Sequence, residues 1–165
     1  MLHYLSNPEY VHVLLNPLPV YGLGLGIVAL IGAFIARTPS ARVIAQLLIF
    51  ISAISVWPVA YYGDAAKDRV LAMADRDGEK WLDEHEARAD KVIAVFYVLA
   101  AVSAVALLLE KFRPRFGPAL LIITFVLALG AIAAGDYIGS AGGRIRHKEY
   151  RYVPPPERSP GHGGD

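Results

Sequence analysis

Histidine is the side chain in this sequence best suited to binding a redox-active metal, and three histidines flank its apolar segments. His12 precedes the first long apolar segment, His85 precedes the third, and His147 follows the fourth. Neutral imidazole is a common protein ligand of haem iron and of other transition metals. The chain has no cysteine, which excludes thiolate metal sites, iron–sulfur clusters and cysteine nucleophiles. We therefore predict that His12, His85 and His147 are candidate ligands of a b-type haem or another metal ion.

The elements that must position these histidines are four apolar segments, at about 18–37, 42–62, 91–110 and 117–138. Each has the length of about 20 residues that an α-helix needs to cross about 30 Å of hydrocarbon. The composition is 55% hydrophobic and the mean hydropathy is +0.42, more apolar than a soluble domain of 165 residues can bury. The alternation typical of a transmembrane β-barrel is missing. The sequence therefore predicts an all-α integral membrane protein.

The connections between these segments predict how the helices are arranged. The first and third connections are short enough to require antiparallel neighbours, which gives an up-down-up-down four-helix bundle over residues 1–152. The middle connection, residues 63–91, mixes acidic and basic residues with Ala, Leu, Met and Trp. We expect an extramembrane amphipathic helix there that caps one end of the bundle. The Pro/Gly-rich residues 153–165 are predicted to be a disordered tail.

Charge placement predicts the orientation of the bundle. The two short turns carry five cations against a single acid, namely Arg37, Arg42, Lys111, Arg113 and Arg115, whereas the opposite side holds eleven Lys and Arg. By the positive-inside rule, these turns face the cytoplasm, and both termini lie outside a bacterial inner membrane. Residues 1–16 contain no Lys or Arg, so the first segment lacks the basic start of a signal peptide and is expected to be retained. The net charge of +1 argues against nucleic acid as a partner and leaves the lipid bilayer as the expected one.

Two further sets of residues are expected to act at the ends and faces of the helices. Gly22, Gly26, Gly135 and Gly139 provide small helix faces at four-residue spacing. Such faces allow close packing within the bundle, between copies, or with other membrane subunits. One carboxylate stands at the end of the second segment and another at the end of the fourth, and two arginines are expected to form ion pairs with them. The alternative is that these carboxylates belong to a proton or quinone site. These residues are Asp64 and Asp136, with Arg144 and Arg146.

Three short motifs together resemble a known family. They are residues 12–20 (HVLLNPLPV), 82–86 (LDEHE) and 142–147 (GGRIRH). The pattern is similar to the small bacterial four-helix membrane proteins grouped as domain of unknown function 2231, over about residues 11–151. That family typically opens with His-Pro-x-x-Val-His-Phe-Pro, whose second histidine is missing here. Some relatives are joined to Rieske iron–sulfur domains, so the resemblance implies a membrane electron-transfer setting.

Two functional hypotheses follow from these features. The first is a membrane redox subunit that binds b-type haem or acts beside a quinone-linked electron-transfer complex. The alternative is a non-catalytic accessory subunit that packs against a larger membrane protein complex through its glycine faces. The sequence contains no complete catalytic constellation, so it assigns no enzyme activity. The segment interiors carry no charged residue to mark an ion path, which argues against a channel.

Overall fold

The computed structural model describes residues 2–157, and every regular element in that range is helical, so the predicted all-α class is confirmed. Short 3₁₀ helices lie at Leu2–Ser6, Pro114–Phe116 and Lys148–Tyr150. Within the predicted tail, residues 153–157 contain no helix or strand, and residues 158–165 lie outside the described residues. The α-helices are α1 (Pro8–Leu15), α2 (Pro17–Ala36), α3 (Pro39–Ile54), α4 (Val56–Met73), α5 (Arg76–Val92), α6 (Ala94–Phe112) and α7 (Gly117–Arg146).

The helices join into four long ones. Asn16, Ser55 and Ile93 separate consecutive helices, and the backbone of each has right-handed helical dihedral angles. The chain therefore continues in one direction through each of these residues. The resulting helices are long and apolar enough to cross a membrane, which confirms the four apolar helices predicted from composition: Pro8–Ala36, Pro39–Met73, Arg76–Phe112 and Pro114–Arg146.

Local chemistry explains the interruption at Ser55. The Ser55 hydroxyl donates to the Ser52 carbonyl, and the Ser52 hydroxyl donates to the Leu48 carbonyl, both at 2.7 Å. Hydrogen bonds of this kind compete with the helical ladder. Pro58 follows three residues later and has no N–H to donate to the Ile54 carbonyl. A serine pair and a proline thus weaken the same helical turn, and α3 ends there.

The middle connection differs from the prediction. Residues 63–91 are helical, as expected, but they do not form a separate capping helix. Instead α4 continues to Met73, the chain turns at Ala74 and Asp75, and α5 leads from Arg76 toward α6. The Asp75 carboxylate accepts a hydrogen bond from the Gly78 N–H at 2.8 Å and so caps α5. The amphipathic helix predicted for this connection is therefore present as α5, but it leads into α6 instead of standing as a separate element.

The four long helices share one apolar core. Helix α2 packs on α3, α3 on α6, α6 on α7, and α7 on α2. Fully buried Leu23, Ile49, Leu99 and Ala128 represent the four helices in this core. A buried polar pair crosses it, because the Gln46 amide donates to the Thr124 hydroxyl at 3.1 Å. Each long helix thus packs on the long helix that follows it in the sequence, and the last one packs back on the first.

A second, smaller core lies among the polar extensions of the helices. Trp81 and Leu82 of α5 pack with Ala141 and Ile145 of α7. Arg151 ties this region together: its guanidinium donates to the Ile145 carbonyl at 2.8 Å and to the Asp75 carboxylate at 2.9 Å. Since Ile145 lies in the last turn of α7 and Asp75 caps α5, Arg151 joins two helix ends. We call this arrangement the Arg151 latch.

Candidate functional site

His12 lies on α1 and is held against α4. Its Nδ1 atom is 2.9 Å from the carbonyl oxygen of Val59. The imidazole packs on Gly63, where an added Cβ would lie 3.0 Å from the same nitrogen. That separation is tighter than an ordinary carbon contact, so the ring needs the space that glycine leaves at this position. The side chain is half-buried.

His85 repeats the arrangement between α5 and α7. Its Nδ1 atom is 3.0 Å from the carbonyl oxygen of Ile138, and the imidazole packs on Gly142. A Cβ added to Gly142 would lie 3.0 Å from both Nδ1 and Cε1 of the ring. In each case the histidine is hydrogen-bonded to a backbone carbonyl. The glycine on which its ring packs follows that carbonyl by four residues in the sequence. The two halves of the chain thus hold their histidines in the same way.

This geometry determines the tautomer of both imidazoles. A backbone carbonyl can only accept a hydrogen bond, so Nδ1 of each ring carries the proton and donates it. The lone pair of a neutral imidazole is then on Nε2. Histidine ligands of metals are oriented in this way, by a carbonyl or carboxylate that accepts a hydrogen bond from the other ring nitrogen. His12 and His85 therefore each offer Nε2 as a potential metal ligand.

The surroundings of His85 favour its neutral form. Burial lowers the pKa of His85 most strongly, and the hydrogen bond to the Ile138 carbonyl partly offsets that effect. Nearby charges act less strongly, since His12 lowers the pKa of His85 and Glu86 raises it. The neutral imidazole that results is the form that binds metals.

His147 lies apart from this pair. It stands at the carboxyl end of α7, where its side chain is exposed. Its Nδ1 atom is 2.9 Å from a carboxylate oxygen of Glu149, and its ring stacks on Tyr150 with centroids 5.0 Å apart. Within residues 2–157 no three His, Asp or Glu side chains gather in a group that could hold a metal ion. The structure holds two of the three candidate histidines against backbone carbonyls and leaves the third at the surface.

Three of the four predicted packing glycines are used inside the chain. A Cβ on Gly22 would lie 2.5 Å from the Ser52 hydroxyl, and one on Gly26 would lie 2.5 Å from Ile49. Gly135 in the same way approaches Val20 of α2. Gly139 instead has nothing within 4 Å of an added Cβ. The first three glycines allow close contact of α2 with α3 and α7, and Gly139 faces outward.

The expected pairing of terminal carboxylates with arginines is not found. Asp64 and Asp136 are exposed, and neither forms an ion pair with Arg144 or Arg146 within the described range. Arg144 instead lies over the Trp81 ring at 4.6 Å and donates to the Tyr150 carbonyl. The prediction was wrong because an arginine at a helix end has aromatic and carbonyl partners that charge counting omits.

Sequence reasoning also missed Gly63 and Gly142 as parts of the site. Both stand inside helices, where glycine costs about 1 kcal/mol relative to alanine. A glycine kept at such a position signals a close approach by another group. That signal was present in the sequence, but the approaching group in each case comes from a helix about 50 residues earlier in the chain.

Comparison of the chain with protein-family models, curated proteins and solved structures finds no match. The resemblance to domain of unknown function 2231 therefore stays a prediction that rests on the three short motifs.

Proposed function

We propose that the chain is a redox subunit of a bacterial inner membrane, folded as an up-down-up-down four-helix bundle that holds a b-type haem with His12 and His85. The observation that supports the haem most directly is the matched pair of imidazoles, each fixed through Nδ1 on a carbonyl and each with its lone pair on Nε2. A quinone-linked electron-transfer complex is the proposed setting.

Membrane insertion is supported by the outward faces of the four long helices. Large apolar side chains there are strongly exposed, including Leu25 at 70%, Ile35 at 75% and Val126 at 61%. A soluble protein rarely exposes a continuous apolar surface of this extent. Lipid would cover it, and the buried Gln46–Thr124 pair keeps its polar groups away from that surface.

Orientation is supported by the charges left unpaired at each end. At the end of the short turns, Arg42 is paired with Glu110 at 2.6 Å, and Glu110 is the sole acid of those turns. At the other end, cations are neutralised by carboxylates in several ion pairs: Lys67–Glu86, Arg69–Glu9, Arg88–Glu84 and Arg151–Asp75. The short turns hold five cations against one acid, whereas the opposite end holds eleven Lys and Arg among fourteen acids. The proposed cytoplasmic short turns and outside termini rest on the first of these ratios.

The residues of the histidine pair fit a haem in donor type and protonation state. His12 and His85 would hold the haem iron through Nε2, and their carbonyl partners Val59 and Ile138 would keep that nitrogen free of a proton. Gly63 and Gly142 set the distance of each ring from the neighbouring helix. A bound haem supplies a one-electron ferric–ferrous couple. His147 has no role in this assignment.

The proposal is tested by the visible spectrum of protein purified in mild detergent from cells supplied with haem precursor. We expect a sharp reduced-minus-oxidised α band and, in a pyridine haemochrome assay, about one b-type haem per chain. A flat spectrum from folded protein would reject the haem and favour the accessory subunit. That second candidate is supported by outward glycines with open space around them, Gly24, Gly32, Gly130 and Gly139.

A further inference from the structure

The two short turns of the chain meet at one end of the structure. Arg42 at the start of α3 donates to Glu110 near the end of α6, through both Nε and a terminal nitrogen. Gly117 at the start of α7 closes the same contact, because an added Cβ would lie 2.5 Å from Glu110 and 2.7 Å from Arg42. The α2–α3 turn and the α6–α7 turn therefore form one continuous surface.

Four cations of this surface have no counter-charge. Their side chains are exposed, and none forms an ion pair within residues 2–157. The sole acid of the two turns, Glu110, is already committed to Arg42. An uncompensated charge of this size in a small area attracts anions. We call these residues the cationic end: Arg37, Lys111, Arg113 and Arg115.

Two exposed aromatic rings lie among these cations. Lys111 Nζ is 5.5 Å from the centroid of Phe112, and the Arg115 guanidinium is 4.9 Å from that of Phe116. Both rings are exposed and adjoin the apolar faces of α6 and α7. A cation beside an exposed apolar ring suits the level of lipid headgroups, where one group meets water and phosphate and the other meets acyl chains.

Arg37 stands at a position where its backbone is strained. It ends α2 with φ at 55° and ψ at 24°, and it is the sole non-glycine residue with positive φ in the described chain. Glycine adopts this conformation at lower cost and is the usual residue at such a helix end. An arginine here has a conformational cost, which is consistent with a use for its side chain.

We propose that the cationic end binds the phosphodiester headgroups of anionic phospholipids. The inference depends on the membrane insertion proposed above and is independent of the haem. The positive-inside rule concerns only which side of the membrane cations lie on. Here the cations of two turns form one surface and act together on one class of ligand.

Native mass spectrometry of the detergent-purified chain titrated with phosphatidylglycerol or phosphatidylcholine tests this proposal. We expect the native chain to bind phosphatidylglycerol more tightly than phosphatidylcholine. The triple variant Lys111→Gln, Arg113→Gln, Arg115→Gln should bind phosphatidylglycerol about tenfold more weakly than the native chain, or weaker still. A matched control removes three exposed cations elsewhere, by Arg76→Gln, Lys91→Gln and Arg146→Gln. This control loses the same net charge as the first triple variant, and it should still prefer phosphatidylglycerol to phosphatidylcholine.

A single substitution separates lipid binding from folding. Arg37→Gly relieves the positive φ, so this variant should melt at a higher temperature while binding phosphatidylglycerol more weakly than the native chain. Equal losses in both triple variants, or no lipid preference in the native chain, would overturn the proposal. If vesicle-reconstituted protein is removed by alkaline carbonate, the membrane insertion on which the inference depends fails instead.

Discussion

At the scale of residues, the histidine site depends on contacts between side chain and backbone. His12 and His85 each use Nδ1 to reach a carbonyl on another helix, and a glycine four residues later provides room for the ring. The sequence suggested which histidines to consider, because they flank the apolar segments. It could not supply their partners, since Val59 and Ile138 are identified only by the register between helices.

Substituting Gly142 by alanine tests the contact with His85. The added Cβ would lie 3.0 Å from the imidazole, so the ring must shift and its hydrogen bond to Ile138 weakens. Relative to the same substitution at Gly139, we expect a loss of about 1 kcal/mol in the free energy of unfolding, measured by denaturation in detergent.

The control for this substitution is Gly139→Ala, three residues earlier on the same helix. Nothing lies within 4 Å of its added Cβ, so alanine should be neutral or stabilise the helix by up to about 1 kcal/mol. Equal stability changes in the two variants would show that the His85 ring does not need the space at Gly142.

At the scale of elements, the apolar segments were predictable and their extensions were not. A long run without charge predicts a membrane-length helix because lipid requires internal hydrogen bonding. The same argument is silent about residues 63–91, where α4 and α5 extend the apolar helices on both sides of one tight turn. The capping side chain of Asp75 marks that turn, and its partner Arg151 comes from the far end of the chain.

The Arg151 latch predicts a stability that depends on pH. The hydrogen bond from Arg151, then that from the Gly78 N–H, and Lys148, lower the pKa of Asp75 below its ordinary value of 3.8. A carboxylate whose pKa is lowered by folding stabilises the protein above its unfolded pKa, and that contribution disappears as the pH falls. Asp75→Asn should therefore lower the melting temperature at pH 7 and have progressively less effect below about pH 4.

The matched control for Asp75 is Asp68→Asn, which changes an exposed aspartate of α4 without a described ion pair. It should leave the melting temperature at pH 7 nearly unchanged. A deficit of Asp75→Asn that stays constant from pH 7 to pH 3 would contradict the electrostatic account of the latch.

The buried pair Gln46 and Thr124 links α3 to α7 and makes a second prediction at this scale. Thr124→Val leaves the Gln46 amide without its partner in an apolar core and should cost about 1–2 kcal/mol. Adding Gln46→Leu removes the orphaned amide, so the double variant should recover part of that stability. Additive losses in a double-mutant cycle would show that the two side chains do not interact.

At the scale of the whole molecule, apolar outer faces lie between two ends of different charge. The short-turn end has five cations against one acid, and the opposite end has more acids than cations, several ion pairs and the histidines. Composition was sufficient to predict the apolar faces, because few polar groups are available to cover them. The imbalance of free charge became clear only with the pairing of Arg42 and Glu110, which are 68 positions apart in the chain.

The absence of cysteine makes the proposed orientation directly measurable. A cysteine introduced by Ser40→Cys reports on the short turns, and one introduced by Ala87→Cys reports on the opposite end; both positions are exposed. With a membrane-impermeant thiol reagent added to intact spheroplasts, we expect labelling at position 87 alone. Labelling at position 40 alone would reverse the orientation, with the histidines on the cytoplasmic side.

The central claim is that His12 and His85 together hold a haem, and one spectroscopic comparison tests it most directly. Reduced-minus-oxidised spectra and haem content are measured for the native chain and for three variants of equal chemistry, His12→Ala, His85→Ala and His147→Ala. We predict that the first two lose the α band while keeping their helical circular dichroism, and that His147→Ala keeps both. A native chain without haem, or a spectrum that survives loss of His12 or His85, would contradict the account.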